Sequence, residues 1–230
     1  MKCAIMQPTY LPWSGYFNLI YKTDIFIFLD DAQFSKGSWH NRNRILNNCK
    51  EKWITVPIKK HKLSTNLNKI LIADQKKWKE SHINLIYQAY HNHPFFKDIE
   101  ELIKFINNIE ITNLSQLNID LITFISKKMS LKNKFLKSSE TNSKKKRTDK
   151  LIDLLEQHNV TEYFSPKGSK AYLTEDNFVN KTNISLNYHD YETKKYVQNF
   201  NKNNIYIDRL SIIDVLANLG WVKTREYIID

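Results

Sequence analysis

Residues 1–29 read MKCAIMQPTYLPWSGYFNLIYKTDIFIFL, and the patterning of this stretch decides the fold. Lys2 to Met6 is a short apolar run ended by Gln7-Pro8-Thr9, the mark of a buried strand that runs into a turn. Ser14 suits the N-cap of a helix to about Tyr21, along which Phe17, Ile20 and Tyr21 recur at the spacing of a core-facing stripe. Asp24 to Leu29, DIFIFL, is apolar at nearly every position, as a strand covered on both faces must be. Strand, short helix and strand in this order make a βαβ unit, with a right-handed crossover and parallel strands.

Working outward, Trp53 to Ile58 is a further strand candidate, ended by Pro57 and the basic stretch Lys59-Lys60-His61-Lys62. From Lys76 to Leu131 the periods become helical: Trp78, Ile83, Ile86 and Tyr90, then Ile99, Leu102 and Ile106, then Leu117, Leu121 and Phe124. The Ser-, Thr- and Lys-rich stretch from Lys137 to Thr148 reads as an exposed connector, after which Thr148 or Asp149 caps a helix carrying Leu151, Leu154 and Leu155. Tyr163-Phe164 and Ile184 to Tyr188 are strand-like, and Ser211 opens a helix that Gly220 ends. The expected architecture is an α/β fold with a Rossmann-like, mainly parallel sheet. Residues 1–75 and 138–230 form its core domain, and residues 76–137 form a helical insertion.

No apolar run approaches the roughly 18 residues of a membrane span, and the N-terminus lacks the pattern of a secretory signal, so a cytoplasmic protein is expected. Cys3 and Cys49 stand alone, without the spacing of a disulfide framework or a zinc site, and Cys3 falls in the first strand as a buried thiol. A net charge of +11 raises nucleic acid as a partner. Only five of the 35 basic residues are Arg, however, and this Lys-, Asn- and Ile-rich bias is what an AT-rich genome imposes on surface positions. An anionic small molecule is therefore favoured over nucleic acid, because a cleft focuses the field of a basic protein.

Chemistry-bearing residues crowd the first 45 positions. Gln7, Tyr10, Trp13 and Tyr16 lie in the turn after the first strand, where backbone N–H groups at a helix start meet the carboxyl edge of a parallel sheet. Asp30 and Asp31 end the second strand; a carboxylate there can take a proton, accept a hydroxyl or cap the next turn. Gln33 and Lys36 precede the cluster Trp39-His40-Asn41-Arg42-Asn43-Arg44, which combines guanidinium forks, amides, an indole and an acid/base candidate in His40. In an extended segment Arg42 and Arg44 share one face, and Asn41 and Asn43 the other. Lys167, Gly168 and Ser169 precede a short helix and can hold phosphate or simply form a turn. His91 and His93 lack a third ligand at workable spacing, so no metal site is expected. Tyr188, His189, Tyr191 and Tyr196 either line a sugar pocket or pack on the sheet.

The blocks MKCAIMQPTYLPWSGYFNLI, FIFLDDAQFSKGSWHNRNRI, WITVPI, YHDYETKKYVQNF and LSIIDVLANLG, in this order, resemble the WbqC-like protein family across nearly the whole chain. Members of that family occur among genes for O-antigen, capsule and other surface glycans. The resemblance thus implies an enzyme of bacterial surface-polysaccharide biosynthesis, with other glycan-biosynthesis enzymes as candidate partners, and leaves the cofactor unknown. The turn is also similar in order to that of nucleotidyltransferases and class I synthetases, with Trp13 and Tyr16 where their H-x-G-H histidines stand. From this comes the expectation of a transferase that moves an acyl or aminoacyl group onto a nucleotide-activated amino sugar. Asp30, Asp31 and His40 are its catalytic candidates, and Gln7, Tyr10, Trp13, Tyr16, Gln33, Lys36, Trp39, Asn41, Arg42, Asn43, Arg44, Lys167, Gly168 and Ser169 its substrate contacts. The alternatives are a glycan-precursor-binding or complex-organising protein without activity, and an RNA- or tRNA-binding protein.

Overall fold

The structure, a computed structural model, describes residues 1–198 and 206–229. Asn199 and Phe200, the end of the YHDYETKKYVQNF block, lie outside the described residues.

The βαβ unit is present: β1 (Lys2–Met6), α1 (Ser14–Tyr21) and β2 (Ile25–Phe28), with Cys3 paired in parallel to Ile25 and Met6 to Phe28. Three more parallel strands complete the sheet: β5 (Lys134–Lys137), β6 (Glu162–Pro166) and β7 (Ser185–His189), in the order β5-β2-β1-β6-β7. Alternating side chains explain why β1 after Lys2 and all of β2 are apolar. Ala4, Phe26 and Phe28 pack into a core shared with α1 and α8 (Ile212–Ile229), whereas Cys3, Ile5, Ile25 and Ile27 pack with α5 (Arg147–Gln157) and Phe178 of α7 (Phe178–Lys181). Helices thus cover both faces, giving a Rossmann-like α/β fold. Burial of the Cys3 side chain pushes its thiol pKa up to about 12.

The strand order reverses beside β1. Its first crossover leads to β2 on one side, while β6 flanks it on the other. A crevice at the carboxyl ends of β1 and β6 is where a sheet of this kind binds ligands.

Several expectations are corrected in detail. Trp13, not Ser14, occupies the N-cap of α1, and Ser14 is buried as the first helical residue. The strand expected at Trp53 to Ile58 lies at Lys50–Thr55 (β4) and pairs antiparallel with β3 (Arg42–Asn47), away from the main sheet. Their two-residue connection, Asn48-Cys49, has φ values of 50° and 61°, the twist a tight hairpin requires, although the sequence shows no Asn-Gly signal. Helices α2 (Gln75–Tyr90), α3 (Phe96–Asn108) and α4 (Leu114–Lys128) form as expected, but their apolar faces join the same core as α1 and β1. The four-residue strand β5 falls inside the stretch read as helical, because KFLK, with Lys at both ends, carries too short a pattern to announce an edge strand.

The connector after β5 is not wholly exposed, since Ser138 is buried. Helix α5 begins at Arg147 rather than after a Thr148 or Asp149 cap, and the Thr148 hydroxyl donates instead to Asp176 at 2.7 Å. Gly220, at φ 72° and ψ 172°, ends the first helical segment of α8 as expected, and a second segment follows directly from Trp221. A Cβ at Gly220 would stand 2.5 Å from the Phe95 ring, and Asp98 accepts the Trp221 N–H at 2.9 Å to restart the helix. Among the described residues no helix is long and apolar enough to cross a membrane.

Candidate functional site

The turn from Gln7 to Trp13 is held from several directions. The Asn43 amide donates to the carbonyls of Tyr10 (3.1 Å) and Leu11 (2.7 Å), and the buried Asn118 amide of α4 to those of Pro8 (3.1 Å) and His40 (2.7 Å). The Ser211 hydroxyl donates to Leu11 and the Ile212 N–H to Pro12, fastening the start of α8 to the same turn. These bonds hold Leu11 at φ 43°, a left-handed conformation that costs roughly 1–3 kcal/mol outside Gly.

Tyr10, expected as a ligand contact, is instead fully buried, its hydroxyl 2.8 Å from His82 Nδ1. The His82 Nε2 lies 3.0 Å from the Thr55 carbonyl, which can only accept, so Nε2 carries the proton and Nδ1 accepts from Tyr10. Burial lowers the pKa of His82 to about 4, which keeps the ring neutral. Tyr10 therefore ties the turn to α2 and β4. Asn43 is likewise committed to the backbone, although it lies along a cleft wall.

At the reversal of strand order, three adjoining clefts share Met6 at the end of β1. One, of about 310 Å³, is walled by Trp13, Tyr16, Trp39, Arg44 and Arg209. A second, of about 260 Å³, again uses Trp13 and Tyr16 and adds Lys167, His189, Tyr191 and Glu192. The third, of about 380 Å³, takes in Gln7, Ser38, His40, Gly168, Ser169 and Tyr172. Both of the latter reach Pro166 at the end of β6. The Arg44 guanidinium lies 5.6 Å from the centroid of the Trp39 ring and that of Arg209 5.4 Å from the centroid of Trp13, so cations and indoles stand side by side. Arg44 also pairs with Glu51 at 2.6 Å.

His40 is 3% exposed, and burial lowers its pKa to about 4. Its Nε2 lies 3.0 Å from Gln7 Oε1, while its Nδ1 is buried without a partner. With Gln7 presenting that oxygen, Nε2 donates and the Nδ1 lone pair is left unused. His189 is also held neutral, its pKa lowered to about 4 chiefly by burial, with Nε2 2.6 Å from Asn18 Oδ1. Lys167 pairs with Asp190, and the Ser169 hydroxyl donates to the Pro166 carbonyl at 2.6 Å.

Other expected site residues are dispersed. Asp30 is buried and does not line these clefts. Its Oδ1 accepts from the Ser139 N–H (3.0 Å) and the Ser138 hydroxyl (3.2 Å), and its Oδ2 from the Ser139 hydroxyl (2.6 Å). Asp31 accepts from Ser138 at 2.6 Å and pairs with Lys150; with Gln33 it lines a separate groove of about 730 Å³. Lys36, Asn41 and Arg42 line another groove, of about 700 Å³, and the Asn41 amide donates to the Val56 carbonyl at 3.0 Å. Arg42 and Arg44 do share a strand face, with Trp53 paired opposite Arg44, yet they border different cavities. Arg209 and Glu192 escaped notice in the sequence: Arg209 lies in no motif, Glu192 sits in the YHDYETKKYVQNF block but was not singled out there, and the fold carries both to the end of β1.

A family model described as the WbqC-like protein family matches residues 7–226. A protein of Mycobacterium tuberculosis (strain ATCC 25618 / H37Rv) described as "Uncharacterized protein Rv1507c" is 32% identical over 222 residues, covering 95% of this chain and 94% of that protein. No solved structure matches. The matched span begins at Gln7, the first residue of the stapled turn, and runs into the second half of α8, so that it includes the walls of the three clefts apart from Ile5 and Met6 of β1; the chain belongs to the WbqC-like protein family.

Proposed function

We propose that the protein is an enzyme of bacterial surface-polysaccharide biosynthesis, acting in the cytoplasm to transfer an acyl or aminoacyl group onto a nucleotide-activated amino sugar. The observation that carries the proposal is the pairing of indoles with guanidinium groups, Trp39 with Arg44 and Trp13 with Arg209, beside the reversal of strand order. Indole faces suit a base or sugar ring, and guanidinium forks suit its phosphates. Family membership supports the polysaccharide setting.

The sugar nucleotide lies along Trp13, Trp39, Arg44 and Arg209, with its amine toward His40. His40 borders the third cleft with a neutral ring whose buried Nδ1 has no protein partner; burial makes it a weak base, so it takes the proton only as the C–N bond forms and the amine becomes acidic. As the amine attacks the acyl carbon, the C–N bond forms, the bond to the leaving group breaks, and the amine proton passes to His40. Asp30 and Asp31 hold the end of β2 through Ser138, Ser139 and Lys150 rather than taking that proton.

A thermal-shift screen of amino-sugar nucleotides tests the proposal, because a ligand that binds only the native state raises its melting temperature. At least one should stabilise the protein, and Arg44→Ala or Arg209→Ala should weaken its binding by about tenfold or more, or ~1.4 kcal/mol. If no sugar nucleotide shifts the wild-type protein, the assigned substrate class is wrong. Tight binding without turnover against a panel of acyl donors would favour a precursor-binding protein.

A further inference from the structure

Beside the β3–β4 hairpin, apart from the three clefts, lies the groove of about 700 Å³ lined by Phe34, Lys36, Arg42, Lys59, Lys60 and His61. Among the described residues no carboxylate lines it, and Lys36, Lys59 and Lys60 form no ion pair. Arg42 donates to the neutral Gly37 carbonyl, and its Nε has no acceptor. In the other basic groove three of the four cations are paired: Lys150 with Asp31 of the same groove, Arg147 with Asp176 at 3.1 Å and Lys145 with Asp153 at 3.5 Å. Uncompensated positive charge is thus concentrated beside the hairpin, in a space of ligand size.

An aromatic platform adjoins it. Trp53 is 46% exposed and Trp39 45%, their rings 5.4 Å apart and tilted by 31°. The Arg42 guanidinium lies 4.3 Å from the Trp53 ring centroid, linking platform to groove. A ligand that joins a flat heteroaromatic ring to a run of phosphates satisfies both.

We infer that this groove is a second ligand site, taking an adenine nucleotide whose phosphates lie among Lys36, Arg42, Lys59 and Lys60 and whose base packs on Trp53. Activated acyl groups are carried on such a nucleotide, as adenylates made from ATP or as coenzyme A thioesters. The role as donor site rests on the transferase proposal; the binding does not.

Calorimetry and tryptophan fluorescence on the full chain at physiological salt test it with ATP, coenzyme A, tripolyphosphate, adenosine and a short single-stranded RNA. ATP or coenzyme A should bind more tightly than adenosine or tripolyphosphate and perturb the fluorescence, and which of the two binds identifies the donor chemistry. The double variant Lys59→Ala, Lys60→Ala should weaken that binding about tenfold or more, whereas Lys223→Ala with Arg225→Ala on α8 should leave it unchanged. Trp53→Phe should retain part of the affinity that Trp53→Ala loses. Failure of both ATP and coenzyme A to bind, or equal weakening by the remote pair, overturns the site. Tighter binding of the RNA with a steep salt dependence overturns it in favour of a polynucleotide. Sugar-nucleotide affinity should survive in the lysine double variant; its loss would assign the groove to the acceptor and overturn the donor role. If ATP or coenzyme A binds here while no sugar nucleotide binds anywhere, the second site stands and the assigned acceptor falls.

Discussion

The indole of Trp13 fills the space in which a side chain on Gly15 would stand: a Cβ there would come within 2.3 Å of the ring. The first turn of α1 is therefore bare so that Trp13 can lie against it and wall two clefts at once. Gly15→Ala separates packing from site geometry. Alanine is the better helix former by roughly 0.5–1 kcal/mol, which offsets part of the clash, while the indole must leave its position. Sugar-nucleotide affinity should fall about tenfold or more with only a small change in melting temperature. Unchanged affinity, measured by calorimetry, would remove Trp13 from the site.

Stability should fall as the solution is acidified from neutrality. His40 and His82 are neutral and buried, with pKa values lowered to about 4, so the unfolded chain takes up their protons first as the pH drops from about 6.5. Their contribution is present above that pH and is lost as the pH falls toward 4, on the order of 3 kcal/mol for His82 alone. Asp214 opposes this slope. Burial raises its pKa to about 6, although Tyr90 and Tyr196 donate to it, so its contribution is greatest at low pH and is lost as the pH rises toward 6. Urea unfolding between pH 7.5 and 4.5 should show a net loss toward acid that His82→Gln flattens and Asp214→Asn steepens. An identical slope in the His82 variant would mean that its neutral form does not matter.

Asp30 and His40 should part company under mutation. Asp30→Asn leaves the Ser139 N–H and two hydroxyls with a weaker acceptor, and hydrogen bonds to charged groups are worth roughly 1.5–3 kcal/mol. The melting temperature should drop while turnover per folded molecule is kept. His40→Asn should lower turnover by about 10²- to 10⁴-fold with far less effect on ligand affinity. If the losses fall the other way round, the base is Asp30, and the hydrogen bonds around it tune a catalytic carboxylate.

Local pattern was enough for the βαβ unit, because a strand covered on both faces must be apolar throughout and a helix on a sheet must carry a stripe. It was enough also for the long helices and for β6 and β7, and the turn at Gln7 to Tyr16 and the cluster at Trp39 to Arg44 were legible as places dense in polar groups. Periodicity, however, records which side of an element is covered and not what covers it. The order β5-β2-β1-β6-β7 is a property of the assembled sheet, and it alone puts the strand reversal between β1 and β6. That order brings His189 of β7 toward Trp13, the packing of the segment before α8 brings Arg209 there from almost 200 positions away, and the separate β3–β4 hairpin sets Arg42 beside a groove of its own although it lies close to Arg44 in sequence. Tyr10 reads like a ligand contact and is in fact core, because its polar partner, His82, arrives from α2. Sequence alone fixed which residues are chemically equipped; tertiary structure decided which spend that chemistry on each other and which keep it for a ligand, since a hydrogen bond needs both partners in place.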